Sequence, residues 1–264
     1  MRKLYFQVAG SLIKINFHKA QSSHREKIFR KMMQTHFNRF ITQRGKKQPD
    51  YTINFTEQNN FELLKKSDRT KHFMNIAEYL PHNTLTSYYH ISISQFQFIL
   101  RNVIQILLTE NNGFILHASA CVIDGKASLF TGFSGAGKST VIKLLKTKYP
   151  ALADDTVIIQ KKGETFSLYQ IPIAEKEWWI EKGPTKYPLE KVFFLRQADV
   201  FRTDSMKDKD KILKDMLKQF WTNDTMYVKK QMQTVFAFVS HFHNFYTLSF
   251  RKEKRGLIKL LRGD

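Results

Sequence analysis

Residues 130–140 read Phe-Thr-Gly-Phe-Ser-Gly-Ala-Gly-Lys-Ser-Thr, which fits the pattern G-x-x-x-x-G-K-[ST] with Gly132, Gly137, Lys138 and Ser139 at the fixed positions. No other segment restricts the fold as strongly. A loop of this kind works only between a strand and a helix. Its glycines let successive backbone N–H groups converge on one point, and the helix N-terminus behind them adds its dipole. Both neighbours are legible. Lys126–Phe130 turns apolar toward its end and reads as a short strand. Thr140–Lys148 carries Val141, Ile142, Leu144 and Leu145 among lysines and stops before Pro150, as a helix of about three turns would. The chain is therefore expected to be α/β. In such a loop Lys138 reaches the terminal phosphates of a nucleotide and the Ser139 hydroxyl helps hold a magnesium ion. Phe133, Ser134, Gly135, Ala136 and Thr140 complete the cradle.

Acidic residues follow at once. Ala151-Leu152-Ala153-Asp154-Asp155 comes directly after the loop's helix, and a short strand there returns the two carboxyls to the edge where phosphates would sit. One carboxylate suits a magnesium ion; the other suits proton abstraction from an attacking hydroxyl. Which does which is open, and a solvated Asp-Asp turn is the plain alternative. His117 lies in the apolar run Gly113–Ile123, with Asp124-Gly125 behind it as a two-residue hairpin signal. A histidine in such a run is ordinarily a core residue. Strand, Asp-Gly turn, strand and then phosphate loop also differs from a doubly wound nucleotide domain, which enters its loop from a parallel strand–helix–strand unit.

Taken together, Leu116-His117-Ala118-Ser119, Asp124-Gly125-Lys126-Ala127, Gly132–Thr140 and Leu152-Ala153-Asp154-Asp155 resemble the catalytic domain of HPr kinase/phosphorylase. More broadly they resemble the kinases sharing its phosphoenolpyruvate-carboxykinase-like nucleotide fold. The resemblance covers about residues 113–160 and extends loosely through the C-terminal half. It implies a mixed α/β fold, largely antiparallel, built around the phosphate loop, and an assembly of several copies. It implies ATP on Gly132–Thr140, magnesium held by Ser139 and Asp154, and a reacting phosphate surrounded by Asp154, Asp155, His117 and Lys138. Two departures stand out: Phe133 follows the first loop glycine, and Ile171-Pro172-Ile173-Ala174-Glu175-Lys176-Glu177-Trp178-Trp179 stands where the family carries Glu, Arg and Gly. They favour a divergent kinase acting on another hydroxyl, of a protein, peptide or small molecule, over an enzyme that also reverses the reaction on HPr. A nucleotide-dependent regulator that binds nucleic acid is the non-enzymatic alternative.

Composition sets outer limits. With 264 residues and 42% hydrophobic content, the chain suffices for one large domain, or a domain with a smaller one appended. No apolar run approaches the roughly twenty residues of a membrane span, and the start lacks the apolar core of a secretory signal. The single cysteine, Cys121, excludes an internal disulfide and a Cys-based zinc site, and fits a reducing cytoplasm. A net charge of +20 invites non-specific contact with polyanions. That charge is spread along the chain, and no common nucleic-acid motif accompanies it.

The rest of the pattern divides near residue 94. Residues 1–94 read as an α/β module: a hairpin about Ala9-Gly10, a helix opening at Ser23-x-x-Glu26 with Phe29, Met33, His36 and Phe40 on one face, a strand at Tyr51–Phe55, a helix near Asp68–Tyr79 and a strand at Tyr88–Ile93. Residues 95–264 hold the phosphate loop. Their first helix, Gln95–Thr109, is expected to pack beneath the nucleotide sheet. A hairpin over Val157–Ile171, a loop-rich stretch with Trp178 and Trp179, a buried strand at Val192–Leu195, helices at Asp208–Trp221 and Asp224–His241, a strand at Phe245–Phe250 and a basic terminal helix follow. Arg196, at the end of its strand, is a further candidate for stabilising phosphate charge.

Overall fold

The computed structural model describes residues 3–18, 23–43, 45, 47–57, 63–65, 72–74, 76–221 and 225–262. Its backbone forms two compact units, Met1–Leu107 and Leu108–Asp264.

In the first unit β1 (Lys3–Val8) and β2 (Ser11–Phe17) form the expected hairpin. Ala9 and Gly10 turn it with positive φ of 48° and 78°, the hand that matches strand twist. Then come α1 (Ser23–Phe37), β3 (Ile41–Thr42), β4 (Tyr51–Thr56), β5 (Leu63–Lys65), β6 (His72–Met74), β7 (Ala77–Leu80), β8 (Thr84–Tyr88) and α2 (Ile93–Glu110). The main sheet runs β3-β1-β2-β4-β8-β7, and β5 and β6 form a two-stranded sheet among the described residues. The helix expected near Asp68–Tyr79 is not formed: His72–Met74 and Ala77–Leu80 are strands, while 66–71 and 75 lie outside the described residues. The strand expected at Tyr88–Ile93 sits earlier, at Thr84–Tyr88.

The expected boundary near residue 94 also moves. Residues of α2 up to Leu107 belong to the first unit. Phe96 of α2 packs 5.8 Å from Phe55 and 5.6 Å from Phe37, centroid to centroid, and Phe29 lies 4.7 Å from Phe55. Of the expected stripe, Phe29 and Met33 on α1 and Phe40 just beyond its end are core, while His36 is exposed and Phe37 takes the core position beside it.

The second unit continues with β9 (Gly113–His117), β10 (Ser119–Ile123), β11 (Lys126–Thr131), α3 (Lys138–Leu145), β12 (Ala151–Ala153), β13 (Thr156–Lys162), β14 (Thr165–Gln170), β15 (Lys186–Gln197), β16 (Arg202–Ser205), α4 (Lys209–Leu217), β17 (Phe220–Trp221), α5 (Thr225–His241), β18 (Phe245–Phe250) and α6 (Lys254–Arg262). The pairing is mixed and largely antiparallel, as the sequence suggested. Asp124 and Gly125, at φ 50° and 78°, close the β10–β11 hairpin. The exception matters most for function: β11, β15 and β18 run parallel to one another.

Alternation along these strands explains the layering. Leu129, Val192, Phe194 and Phe245 face a core with Phe238, Val235 and Ile212 of α4 and α5. Phe130, Phe193, Leu195 and Leu248 face the opposite core with Val141, Ile142, Leu257 and Leu261 of α3 and α6. A strand buried on both faces reads as a continuous apolar run, which is how Val192–Leu195 reads. Cys121 lies in the second core, fully buried, and burial pushes its thiol pKa up, away from reactivity. No helix among the described residues is long and apolar enough to cross a membrane.

Candidate active site

The loop leaves the carboxyl end of β11 and enters α3 at Lys138. Its glycines are required by geometry. Gly137 has φ 102°, and a Cβ there would stand 2.8 Å from Cζ of Phe250; Gly132 has φ 149°, and its Cβ would stand 2.9 Å from that of Ala136. Gln197 at the end of β15 holds the loop from outside, its Nε2 donating to Gly135 O at 2.6 Å. Lys138 bends back along the loop and donates to Gly132 O at 2.7 Å and Phe133 O at 3.3 Å. Burial lowers its pKa, partly offset by the Asp155 carboxylate and reinforced by the like charge of Lys176.

Long-range pairing brings the acids and the histidine to this loop. β12 pairs antiparallel with β10 and ends at Ala153, which delivers Asp154 and Asp155 beside the loop. β13 starts at Thr156, and its register with β9 sets Thr156 opposite His117. His117 is thereby the neighbour of Asp155, with Nδ1 3.4 Å from Oδ1. Thr156 Oγ1 donates to the other carboxylate oxygen of Asp155 at 3.0 Å. Burial lowers the His117 pKa more than Asp155 raises it, so the imidazole is neutral at pH 7. One cleft of about 240 Å³ is lined by His117, Lys138, Ser139, Asp154, Asp155 and Lys176, with Ser134, Gly135, Gly137 and Thr140 along the loop side. The sequence-derived candidates thus come together, apart from Gly132, Phe133, Ala136 and Arg196, which do not line the cleft. Phe133 stands at the loop's tip with its ring 70% exposed, and Ala136 is buried beneath the loop. Arg196 is exposed and does not line the cleft.

Asp154 is the anomaly. It is 2% exposed, and among the described residues Glu175, when protonated, is the side chain that can donate to its carboxylate. Behind it stands Glu175, whose Oε2 accepts the backbone N–H groups of both Asp154 and Asp155 at 3.1 Å. Burial, then the neighbouring Asp154 carboxyl, pushes the Glu175 pKa up to about 7, against the pull of Lys182. Lys182 is ion-paired with Glu175 and also donates to Ile171 O at 3.0 Å and Ile173 O at 2.6 Å, so its three N–H bonds have three acceptors. Gln170 ties the same segment down, donating to Leu152 O at 2.7 Å and accepting from Gly183 N at 2.9 Å.

Two buried carboxyls face one buried ammonium; a proton held by Glu175, whose pKa is pushed up to about 7, can bridge to Asp154, and a bound cation can take that proton's place. Among the described residues no group of three or more His, Cys, Asp or Glu could hold a metal alone. One carboxylate plus a hydroxyl is instead the donor set that suits magnesium, which takes its remaining ligands from water and substrate phosphates. Asp154 and Ser139 line the cleft together and fit that role.

Sequence reasoning missed Glu175, Lys176, Lys182 and Gln197. Glu175 and Lys176 had a faint signal, a polar run between Ile171–Ala174 and Trp178-Trp179. Nothing local marked the other two.

The fold and site define a mixed α/β protein carrying a Gly-rich loop of the phosphate-binding pattern, with an acid pair and a histidine facing it. The chain belongs to the family of the SynChlorMet cassette protein ScmC, whose model matches residues 86–248. No curated protein matches the sequence. Among solved structures the HPr(Ser) kinase/phosphatase from Coxiella burnetii bears a distant likeness, at 14% identity and a TM-score of 0.32, covering 56% of this chain and 94% of that one.

Proposed function

We propose that this protein is an ATP- and magnesium-dependent phosphotransferase that passes the terminal phosphate to a hydroxyl, with a seryl side chain of a protein or peptide as acceptor. The observation that carries the proposal is the cleft shared by the loop, Lys138, the buried Asp154 and the Asp155–His117 pair. Asp155, half-exposed and hydrogen-bonded by Thr156, is the base: it accepts the hydroxyl proton as the acceptor oxygen bonds to the terminal phosphorus. The bond from that phosphorus to the bridging oxygen breaks, and ADP leaves. His117, neutral at pH 7, orients the Asp155 carboxylate without neutralising it. Lys138 and Lys176 bring two ammonium groups to the cleft, where charge spreads over the phosphoryl oxygens. Asp154 and Ser139 would hold magnesium, which when bound neutralises phosphate charge. Glu175 fixes the acid pair through its backbone.

A peptide or protein acceptor is favoured by the rim. Phe133 in the loop is 70% exposed, and Trp178, two residues from Lys176, is 90% exposed. Bare aromatic rings of this size suit an apolar side chain better than a polar metabolite. Incubation with γ-labelled ATP and parallel panels of seryl peptides and small hydroxyl compounds tests both parts. Label on peptides supports the reading, label only on small compounds overturns the acceptor class, and no label on either overturns the activity.

A further inference from the structure

A second cleft of about 410 Å³ adjoins the first and shares Gly137 and Thr140 with it. Its other walls come from the ends of two parallel strands and the segments that follow them: Gln197 at the end of β15 and Asp199 after it, Arg251 and Lys252 after β18. Ala198 N donates to Phe250 O at 3.0 Å and joins those two segments. All three parallel strands therefore deliver their carboxyl ends to one edge. In open α/β sheets that edge is where ligands bind, and the volume lies in the range of small-molecule sites.

From this geometry we infer that the second cleft takes the base and ribose of the nucleoside triphosphate whose phosphates lie on the loop. The inference rests on the kinase reading above and gives the bound nucleotide a direction. The loop separates two clefts with different equipment. Asp154, Asp155 and His117 all line the first and none lines the second. The terminal phosphate and the acceptor belong in the first, where the base stands. A chain of phosphates running back along Gly137 and Thr140 leaves its nucleoside in the second.

The chemistry there suits a nucleoside. The Arg251 guanidinium lies over the ring of Phe201, 5.4 Å from its centroid. A guanidinium held on one face by an aromatic ring offers the other face to a base. Asp199 supplies a carboxylate to accept from a ribose hydroxyl or an exocyclic amine. Arg251, Lys252 and Asp199 are all exposed, so their substitution leaves the core intact.

The test is calorimetric titration of the full chain with the magnesium complexes of ATP and of tripolyphosphate, on wild type, Arg251→Ala and Asp199→Ala. Stacking and hydrogen bonding of this kind make ATP roughly tenfold tighter than tripolyphosphate in wild type. Arg251→Ala is expected to remove most of that advantage and leave tripolyphosphate binding as it was. Asp199→Ala is expected to act in the same direction. Equal affinity of wild type for ATP and tripolyphosphate overturns the nucleoside cleft while leaving the loop as a phosphate site. An ATP advantage that survives both substitutions overturns its location. Failure of both ligands to bind overturns the kinase reading and this inference with it.

Discussion

Replacing Asp154 with Asn separates stability from function, and the two should move in opposite directions. Asp154 is 2% exposed, and among the described residues its carboxylate oxygens have no donor once Glu175 is ionised. A buried polar group left unsatisfied costs about 1–3 kcal/mol, and a charged one more. Asparagine keeps the shape, removes the charge and adds an amide N–H₂ that can donate to Glu175. Lys182 loses part of its attraction but keeps its pairing with Glu175 and its two carbonyl acceptors. Above pH of about 7, where Glu175 has lost the proton it can share with Asp154, the balance favours the variant in the absence of metal by about 2 kcal/mol. For a unit of this size that raises the unfolding midpoint by about 4–8 °C. Magnesium and ATP reverse the order. Ligand at a hundred times its dissociation constant stabilises wild type by about 2.7 kcal/mol, and the variant gains little because its metal ligand is gone. Thermal unfolding followed by near-ultraviolet circular dichroism, in EDTA and then in magnesium with ATP, reads both effects. A variant less stable than wild type in EDTA, or one with the full magnesium–ATP shift, refutes the reasoning.

Three further outcomes follow from the same geometry. Gly137→Ala places a methyl in a left-handed backbone 2.8 Å from Phe250; it should destabilise the protein by about 2 kcal/mol or more and weaken ATP binding, both measurable by denaturant titration and calorimetry. Lys182→Met leaves Glu175 buried without its cation and should cost about 3–5 kcal/mol, whereas Lys182→Met combined with Glu175→Gln should recover much of that loss. Acidification acts through His117, whose pKa is lowered by burial in the folded state. Its contribution to stability is present above pH of about 6.5 and is lost as the pH falls toward the lower folded value. Turnover should fall on the same side, because a protonated imidazole pairs with Asp155 and lowers its basicity. His117→Asn should remove that acid limb from the kcat profile, and an unchanged limb would count against the pairing.

The loop was legible in the sequence because its requirements are local. Gly132, Gly137 and Lys138 act within one strand–turn–helix, and the Asp124-Gly125 hairpin is equally local. Asp154 and Asp155 were legible at one remove, since β12 simply follows the loop's helix. His117 could be named but not placed, because its position beside Asp155 depends on the register of β9 with β13, residues far apart in the chain. Lys182 and Gln197 gave no sign. Lys182 sits in an irregular loop, and the path that brings it to Glu175 and two carbonyls leaves no periodic trace. Arg196 misled because the end of a strand marks an edge, not which way a side chain faces. Phe96 shows the other limit: helical spacing identifies an apolar face but not its partner, and here the partners were Phe37 and Phe55. In the segment near 68–79 a polar stretch read as helix, while His72–Met74 and Ala77–Leu80 are short strands paired with near neighbours, Leu63–Lys65 and Thr84–Tyr88, without an alternating pattern to mark them.

The most direct measurement is phosphate transfer from γ-labelled ATP to the seryl-peptide panel by wild type, Lys138→Ala and Asp155→Asn, each at saturating magnesium. Wild type should label peptide, and both substitutions should lower the rate at least a hundredfold, about 2.7 kcal/mol in the barrier, with the unfolding midpoint of Asp155→Asn little changed. Label transferred by Asp155→Asn at the wild-type rate, or no transfer by wild type to any acceptor, would contradict the account.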